Sequence, residues 1–429
     1  MKRLMIPLLA LLACAPLFAG EAERQEATKF MESQTALSES AKGETTLKLR
    51  MLGVTVGQVT FKVEHGEHEG KPCYAVTMNG QIKLGEIVTK LQGKAMVGPD
   101  LALLMEENHE YEGEELTKHS VYKNAEGNLQ VKLFDKNAKK EEDKNREFEI
   151  KAETRLLVGT SQMIAQILLP KQAGKKFEFL DWDDDVNKTF AMTLEVAAEE
   201  ELYGKKAWKL LEHGIDYSKD DEGVVNEDAT IETLWLSGAN ALRIETAEGL
   251  ILDSGPDPTR TAITKEALEK QDKECHAVVL FFMAVQAKSE DLVKKAVNID
   301  RFIDYVIEND ESLKALGPDE KAAVKEMIRP KMPEEFLKNA GGEEKSEAEK
   351  QREAAVFELL KHEENFKVTK VDGHDAVVFT DEAQKLFGRM AFYVEKNSDG
   401  VWQITWVGEQ PEEKKEPEKT PDKEDEEGF

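Results

Sequence analysis

Three side chains that could bind a metal ion lie close together on one predicted hairpin. His65 and His68 flank the start of a turn region and Cys73 follows it, with Glu67 and Glu69 in between. Imidazole nitrogens and thiolate sulfurs are the ligands that Zn²⁺ prefers. The spacing matches no established zinc pattern, and hairpin tips are commonly solvated. The sequence therefore favours a polar turn and predicts no metal site.

A group of oxygen ligands alternates along the chain in the manner of a calcium loop. The group consists of Asp181, Asp183, Asp185 and Asn187. An EF-hand loop requires Gly at its sixth position and a bidentate Glu at its twelfth, where this sequence has Val186 and Met192. An acidic surface turn is the favoured interpretation.

The sequence lacks the motifs of nucleophilic and nucleotide-dependent catalysis. Gly-x-Ser-x-Gly, Walker A and dinucleotide-binding glycine patterns do not occur, and Gly159-Thr160-Ser161 lacks the second Gly of a nucleophile elbow. We therefore predict no catalytic residue, no cofactor-binding residue and no cofactor.

Polar and aromatic side chains in the last third of the chain leave one alternative open. Four of them would suit a hydrolase or isomerase pocket if they converged, although a helix surface is the favoured interpretation: His276, Asp300, Asp304 and Tyr305. Trp402 and Trp406 have the same parity on the predicted last strand, so we expect them on one face. Core packing is favoured for both over a ligand-stacking platform.

The hydrophobic pattern indicates which elements must position these residues. Period-two alternation runs from residue 44 to 255, with one predicted strand over 82–91, and it predicts an antiparallel β-rich domain. A short amphipathic helix over 160–169, stopped by Pro170, interrupts it. Residues 253–261, which contain Gly255, Pro256 and Pro258, are predicted to be a domain boundary.

Beyond the boundary the period becomes helical and then returns to two. Helices are predicted over 262–288, 292–297, 301–308, 318–328, 333–337 and 343–361, and strands over 366–371, 376–380, 389–395 and 402–407. The predicted fold class is therefore α+β, with a curved, half-barrel-like antiparallel sheet over 44–255 and an α+β domain over 256–408. Residues 409–429 hold ten acidic and four basic residues and are predicted to be a disordered tail.

The first 19 residues have the pattern of a secretory signal. Lys2 and Arg3 precede an apolar run over 4–12, and small residues follow up to a cleavage position after Ala19. An alternative is Leu11-Leu12-Ala13-Cys14, which resembles a bacterial lipobox with Cys14 as the acylated residue. Both routes lead out of the cytoplasm, most simply to a bacterial periplasm, with residues 20–43 as a leader.

Composition excludes several classes of protein. The chain has 429 residues, three cysteines and a formal net charge of −28, which argues against a nucleic-acid partner and against a disulfide-rich scaffold. No run of about 18 apolar residues is present that could form an ordinary transmembrane helix. Cys73 and Cys275 lie in different predicted domains, so two separate thiols are favoured over a disulfide.

Two stretches share an order of features that suggests an internal repeat. Residues 63–78 and 196–211 each run from a strand through an acidic turn and a Gly-Lys pair to an aromatic residue, Tyr74 or Trp208, in the next strand. A duplicated β-unit and two ordinary hairpins both remain open interpretations.

Both domains resemble known families. The runs 52–59, Thr233-Leu234-Trp235-Leu236-Ser237 and Leu242-Arg243-Ile244-Glu245 make the region 45–255 resemble exported β-rich domains of unknown function from Gram-negative envelopes. By looser analogy these look like periplasmic lipoprotein carriers, which hold an acyl chain between a curved sheet and helices. The run 278–286, Asp291 and the hairpin 399–404 make the region 262–408 similar to the cystatin-like cone of the nuclear transport factor two superfamily.

These observations predict a non-enzymatic binding or envelope protein outside the cytoplasm. Its partner would be an apolar small molecule or lipid held by the β-domain, or another envelope protein. The alternatives are a hydrolase or isomerase with a pocket in the cone domain, and a structural lipoprotein tethered to a membrane through Cys14.

Overall fold

Fourteen consecutive strands form one antiparallel sheet in a computed structural model of the chain. The model describes residues 44–98, 101–125, 127–138, 140–151, 156–168, 171–183, 188–216, 226–238, 240–246, 249–339, 347–371 and 373–410. The predicted signal with the possible acylation site Cys14, the leader, and all of the predicted tail but its first two residues lie outside these ranges.

The strands of the large sheet are β1 (Glu44–Met51), β2 (Val54–His68), β3 (Lys71–Leu84), β4 (Ile87–Val97), β5 (Leu103–Glu112), β6 (Glu115–Ala125), β7 (Asn128–Asp135), β8 (Asn145–Lys151), β9 (Lys176–Asp183), β10 (Lys188–Leu202), β11 (Lys205–Asp216), β12 (Asn226–Ser237), β13 (Asn240–Thr246) and β14 (Leu250–Asp253). A second sheet contains β15 (Phe366–Val371), β16 (His374–Phe379), β17 (Met390–Lys396) and β18 (Trp402–Glu409).

The helices are α1 (Gln162–Leu168), α2 (Lys265–Lys270), α3 (Glu274–Ala287), α4 (Glu290–Ala296), α5 (Ile299–Asn309), α6 (Glu311–Lys314), α7 (Pro318–Ile328), α8 (Met332–Asn339), α9 (Glu347–Leu360) and α10 (Asp381–Phe387). Within the described ranges, no helix is both long and apolar enough to cross a membrane. The predicted α+β class is confirmed.

The chain divides into two compact units. The first contains the residues up to Thr261 together with those from 342 to 362, and the second contains those from 262 to 341 and from 363 onward. Helix α9 therefore belongs to the first unit, although the hydrophobic pattern alone grouped its residues with the second domain.

The first and last strands of the large sheet in sequence, β1 and β14, are neighbours in its middle. Its strand order is β8-β7-β6-β5-β4-β3-β2-β1-β14-β13-β12-β11-β10-β9, so the chain steps outward from β1 to β8 and then back from β9 to β14. The two edge strands, β8 and β9, are consecutive in sequence. The chain between them must therefore pass from one edge of the sheet to the other.

Side chains alternate along these strands as the period-two pattern predicts, and one face is buried. In β4 the buried positions are Ile87, Thr89, Leu91, Gly93, Ala95 and Val97, while most residues between them are exposed or half-buried. The same strand corrects one prediction, because the single strand expected over 82–91 is interrupted by a turn at Gly85 (φ 63°) and Glu86. Apolar residues recur on both sides of Gly85, so the turn is not evident from the pattern.

Strand β14 was not predicted, because it is short and leads directly into the Gly/Pro-rich boundary. It pairs with β1, and a buried ion pair between Arg50 and Asp253 joins the two strands. Arg50 Nη2 also donates to the carbonyl oxygens of Gly255 and Pro256 at 2.8 and 2.9 Å. This arginine therefore fixes the chain at the point where it leaves the sheet.

The second unit corrects two further predictions. The helix expected over 262–288 is two helices, because Gln271 adopts a left-handed conformation (φ 44°) after α2. Its backbone carbonyl accepts the N–H of Trp402 at 3.2 Å, and its amide Nε2 donates to Trp402 O at 2.9 Å. Helix α10 was not predicted at all. Its seven residues follow Thr380 without a long amphipathic pattern.

Candidate functional site

A segment of the link between the sheet edges, residues 156–168, lies across the inner, buried face of the sheet. We call it the crossover segment. It contacts β3, β4 and β5, and Leu157 N donates to Leu180 O on β9 at 2.8 Å. Five of its apolar side chains are buried, none more than 7% exposed: Leu156, Leu157, Val158, Ile164 and Ile167. The segment therefore occupies the apolar space over these strands.

Four buried polar residues hold the crossover segment on the sheet, and we call them the anchor cluster: Glu106, Asn108, Thr160 and Ser161. Backbone N–H groups of Thr160 and Ser161 donate to the two carboxylate oxygens of Glu106 at 2.7 and 3.2 Å. Asn108 Nδ2 donates to the same carboxylate at 2.8 Å. The Thr160 hydroxyl donates to Asn108 Oδ1 at 2.9 Å. Buried polar groups are tolerated when they are paired in this way.

Gly93 on β4 provides the space for the anchor cluster. It is paired with Asn108 across the sheet. A Cβ atom at this position would lie 2.2 Å from Thr160 Oγ1 and 2.7 Å from Asn108 Oδ1. Any side chain larger than hydrogen would therefore displace the polar groups that anchor the segment.

Burial dominates the electrostatics of the anchor cluster. Loss of hydration raises the pKa of Glu106 to about 7, although hydrogen bonds from Asn108, Ser161 and Thr160 favour the ionised form and offset part of the shift. The side chain is fully buried, so no substrate reaches the carboxyl group in this conformation. Its geometry is that of an anchor and not that of a general acid or base.

A second buried carboxyl group meets the crossover segment further along. Gln166 Nε2, on α1, donates to Glu212 Oε2 on β11 at 3.2 Å. Burial raises the pKa of Glu212 to about 7. Just beyond the segment, Lys171 Nζ donates to Gln166 O at 2.6 Å, and burial lowers the pKa of Lys171 to about 7. The segment is thus attached to the sheet at two separated carboxyl groups.

Sequence reasoning did not identify the anchor residues. Their signal is an acidic or amide side chain at an inward-facing position of a strand, as Glu106 and Asn108 are on β5. Acidic residues are frequent in this chain, so one at such a position is not informative until the strand register shows which face of the sheet is buried.

The hairpin that carries His65, His68 and Cys73 does not bring these three side chains together. His65 is paired with Tyr74 and Gly66 with Cys73, so His65 and Cys73 lie on opposite faces of the sheet. The Cys73 side chain is buried, and burial raises the pKa of its thiol.

The acidic alternation near residue 181 is only partly described. Asp181 is buried and accepts the backbone N–H of Trp182 at 2.8 Å. The side chain of Asp183, together with Asp185 and Asn187, lies outside the described residues. Cys73 and Cys275 are both free and buried, in different units.

The predicted pocket residues of the second unit lie in two separate groups. His276 is buried, with Nδ1 3.0 Å from Asp272 Oδ1, and burial lowers its pKa although Asp272 and Glu363 act in the opposite direction. Asp300 and Asp304 instead pair with cations at the end of α7: Arg329, directly after the helix, lies 2.7 Å from Asp300, and Lys325 lies 2.8 Å from Asp304. Tyr305 stacks on Trp406 at a centroid distance of 4.1 Å.

Aromatic rings pack between the helices and the small sheet. Seven phenylalanine rings contact one another, with centroids of neighbouring rings 4.9 to 6.5 Å apart: Phe281, Phe282, Phe302, Phe336, Phe379, Phe387 and Phe392. The described core of this unit is therefore apolar.

The two tryptophans of β18 do not share a face as predicted. A bulge in β18 pairs Trp402 with Lys396 and Trp406 with Tyr393. Lys396 and Tyr393 are three positions apart on β17, so they point to opposite faces, and so do their partners. The extra residue in the bulged strand, Thr405, reverses the parity.

One group of described residues brings metal-ligand atoms together. Glu107, His109 and His119 each contribute one such atom, and these atoms lie within 4.8 Å of one another. These residues belong to neighbouring strands β5 and β6, on the face opposite the anchor cluster.

Comparison with known proteins gives a likeness to solved structures only. No family model and no curated protein matches the chain. Among solved structures, it is similar to a β-barrel-like protein of the domain of unknown function DUF1849 from Brucella abortus, with 14% identity and a TM-score of 0.34. The match covers 49% of this chain and 93% of that one. At this level the likeness carries no information about function.

Proposed function

We propose that this chain is an extracytoplasmic, non-enzymatic binding protein whose first unit holds an apolar small molecule or lipid chain on the inner face of its large sheet. The observation that carries the proposal is the occupancy of that face. It is lined by apolar side chains and covered by the crossover segment, whose own buried side chains are apolar. Apart from the paired polar groups that anchor the segment, the surface that an occupant would contact is apolar, which favours an apolar ligand.

The mode of attachment favours a segment that can be exchanged for a ligand. The described contacts that specify its position are hydrogen bonds to two carboxyl groups, Glu106 and Glu212. Each neutral hydrogen bond contributes about 1 kcal/mol net, and each one to a charged group about 2 kcal/mol. An acyl chain gains about 0.8 kcal/mol for each buried CH₂ group. The five buried apolar side chains of the segment are stabilised by the same effect, by about 1.5–3 kcal/mol each, so only a long acyl chain would compete with the segment.

Two measurements on the purified full-length protein test the ligand. Native mass spectrometry should detect a co-purified apolar molecule, and a fluorescent fatty acid should bind with one-to-one stoichiometry. Ile164→Ala removes a buried side chain of the crossover segment and should strengthen fatty-acid binding. Ile303→Ala, at an equally buried position of the second unit, is the matched control and should leave binding unchanged. Absence of binding by both the wild type and Ile164→Ala would refute the proposal.

The location is tested separately from the ligand. Expression of the full chain in a Gram-negative host should give a periplasmic protein. The mass of its mature form should correspond to a chain that begins at Gly20. A mature form that begins at an acylated Cys14 would support the membrane-tethered alternative. A cytoplasmic protein that retains Lys2 and Arg3 would overturn export altogether.

A further inference from the structure

Two imidazoles and one carboxylate converge on the outer face of the β5–β6 hairpin. Glu107 and His109 are alternate residues of β5 and lie on one face, and His119 on β6 is directly opposite His109. Glu107 Oε1 lies 3.5 Å from His109 Nε2 and 3.2 Å from His119 Nε2. The imidazole rings are stacked, with centroids 4.2 Å apart and planes 11° from parallel. Both Nε2 atoms therefore face the same carboxylate oxygen.

These separations match those between ligand atoms around a zinc ion. Zn²⁺ binds imidazole nitrogen and carboxylate oxygen at about 2.0–2.2 Å in a tetrahedral arrangement, which separates neighbouring ligand atoms by about 3.3–3.5 Å. The two measured separations from the Glu107 oxygen fall around this range. All three ligand atoms are already within 4.8 Å of one another, so an ion needs only small side-chain rotations.

The chemistry of the three groups also suits a divalent ion. A metal ligand must be the neutral imidazole, which has a lone pair available on one ring nitrogen. The side chains are 25–36% exposed, so an ion can reach them and water can complete its coordination. Lys94, which is paired with Glu107 on β4, is exposed, so its ammonium group can remain in solvent.

The neighbouring strands hold the histidines in place. The Tyr111 ring stacks on His109 at 6.0 Å, and Phe134 on β7 is paired with His119. Because both histidines are on paired strands and not on loops, the site is largely preformed.

We infer that Glu107, His109 and His119 bind one Zn²⁺ ion, with water in the remaining position. Two histidines and one glutamate form the donor set of an open zinc site. This inference is independent of the proposed apolar ligand, which would occupy the opposite face of the sheet.

Isothermal titration of the chelator-treated full-length protein with ZnCl₂ tests the site. The wild type should bind one equivalent of Zn²⁺, and His119→Ala should weaken this binding more than tenfold. Glu107→Gln, which keeps the shape of the side chain, should also weaken it and serves if His119→Ala does not fold. The matched control is the double variant His65→Ala/His68→Ala, which should bind as the wild type does.

The results that would overturn the site are specific. One is the absence of a one-equivalent binding event in the wild type. Another is binding that persists at wild-type affinity in a folded Glu107→Gln or His119→Ala variant, which would mean that the ion is held elsewhere. Loss of binding in the His65/His68 double variant with retention in His119→Ala would move the site to the β2–β3 hairpin. Melting curves of the zinc-free variants establish that each is folded.

Discussion

Gly93→Ala should release the crossover segment from the sheet. The added Cβ atom would lie 2.2 Å from Thr160 Oγ1 and 2.7 Å from Asn108 Oδ1, both well inside van der Waals contact. These two oxygens form the hydrogen bond between the segment and β5. Because the strand backbone is fixed by pairing on both sides, the side chains must move and the segment must move with Thr160.

The magnitude follows from the groups that lose their partners. The Thr160 hydroxyl and the Asn108 carbonyl are both buried, and a buried polar group left unpaired costs about 1–3 kcal/mol. The reduced entropy of the unfolded chain returns about 0.4–1 kcal/mol on replacing Gly by Ala. We therefore expect the free energy of unfolding of the first unit to fall by about 1–5.6 kcal/mol. For a unit of this size, each kcal/mol corresponds to about 2–4 °C in Tm.

Thermal unfolding and hydrogen–deuterium exchange together measure the effect. The amides of Thr160 and Ser161, which donate to Glu106, should exchange much faster in Gly93→Ala. Gly66→Ala is the matched control, since Gly66 is also a strand residue and its Cβ would come no closer than 3.2 Å to Ala75 Cβ. Two results together would show that the anchor cluster does not hold the segment: a Tm of Gly93→Ala equal to that of the control, and unchanged exchange rates of the Thr160 and Ser161 amides.

Three further predictions concern pH, ion pairing and the aromatic core. Burial raises the pKa of Glu212 from 4.5 to about 7, so the folded state binds this proton more tightly. The contribution of Glu212 to stability should be greatest below pH 4.5 and fall by up to about 3 kcal/mol as the pH rises through 7, in the same range as that of Glu106. Glu212→Gln should flatten this dependence in melting curves, and a profile identical to the wild type would contradict the assignment. Arg50→Met should lower the free energy of unfolding by about 3 kcal/mol in urea titrations, because the buried Asp253 loses its close cationic partner and retains Arg243, 3.6 Å away, and the backbone N–H of Gly255 at 2.7 Å. A change below about 0.5 kcal/mol would show that the pair adds little. Phe392→Ala, at a position 1% exposed, should destabilise the second unit by about 3–5 kcal/mol in near-ultraviolet circular dichroism melts, and an unchanged midpoint would place the ring outside the core.

Local pattern accounts for most of the elements. The alternation of apolar residues predicts strands in the first unit because a sheet with one buried face repeats every two residues. The predicted helix over 160–169 is present as α1, and Asp399-Gly400 marks the last hairpin. The failures occur where a local signal is weak or contradicted by tertiary contacts. Gly85 forms a turn between two strands whose apolar residues suggest a single strand. Gln271 ends a helix in a left-handed conformation, and its side chain donates to Trp402 O.

The candidate sites depend on register, and local pattern does not determine register. With a simple two-residue turn at Gly113 and Glu114, His119 would be opposite Asn108. A bulge between Glu110 and Tyr111 shifts the pairing by one residue and brings His119 opposite His109. A shift of one residue changes the face of every later side chain, so this cluster could not be read from spacing.

The sequence by itself therefore determined the fold class, the change from strands to helices after residue 261, and the apolar character of the buried face. These follow from the periodicity of neighbouring residues, which the chain specifies locally. Only the tertiary structure decided that the link between β8 and β9 lies across that face, that Glu106 and Glu212 anchor it, and that two histidines and a glutamate converge outside it. Those arrangements join residues far apart in sequence, and strand pairing, bulges and burial fix them.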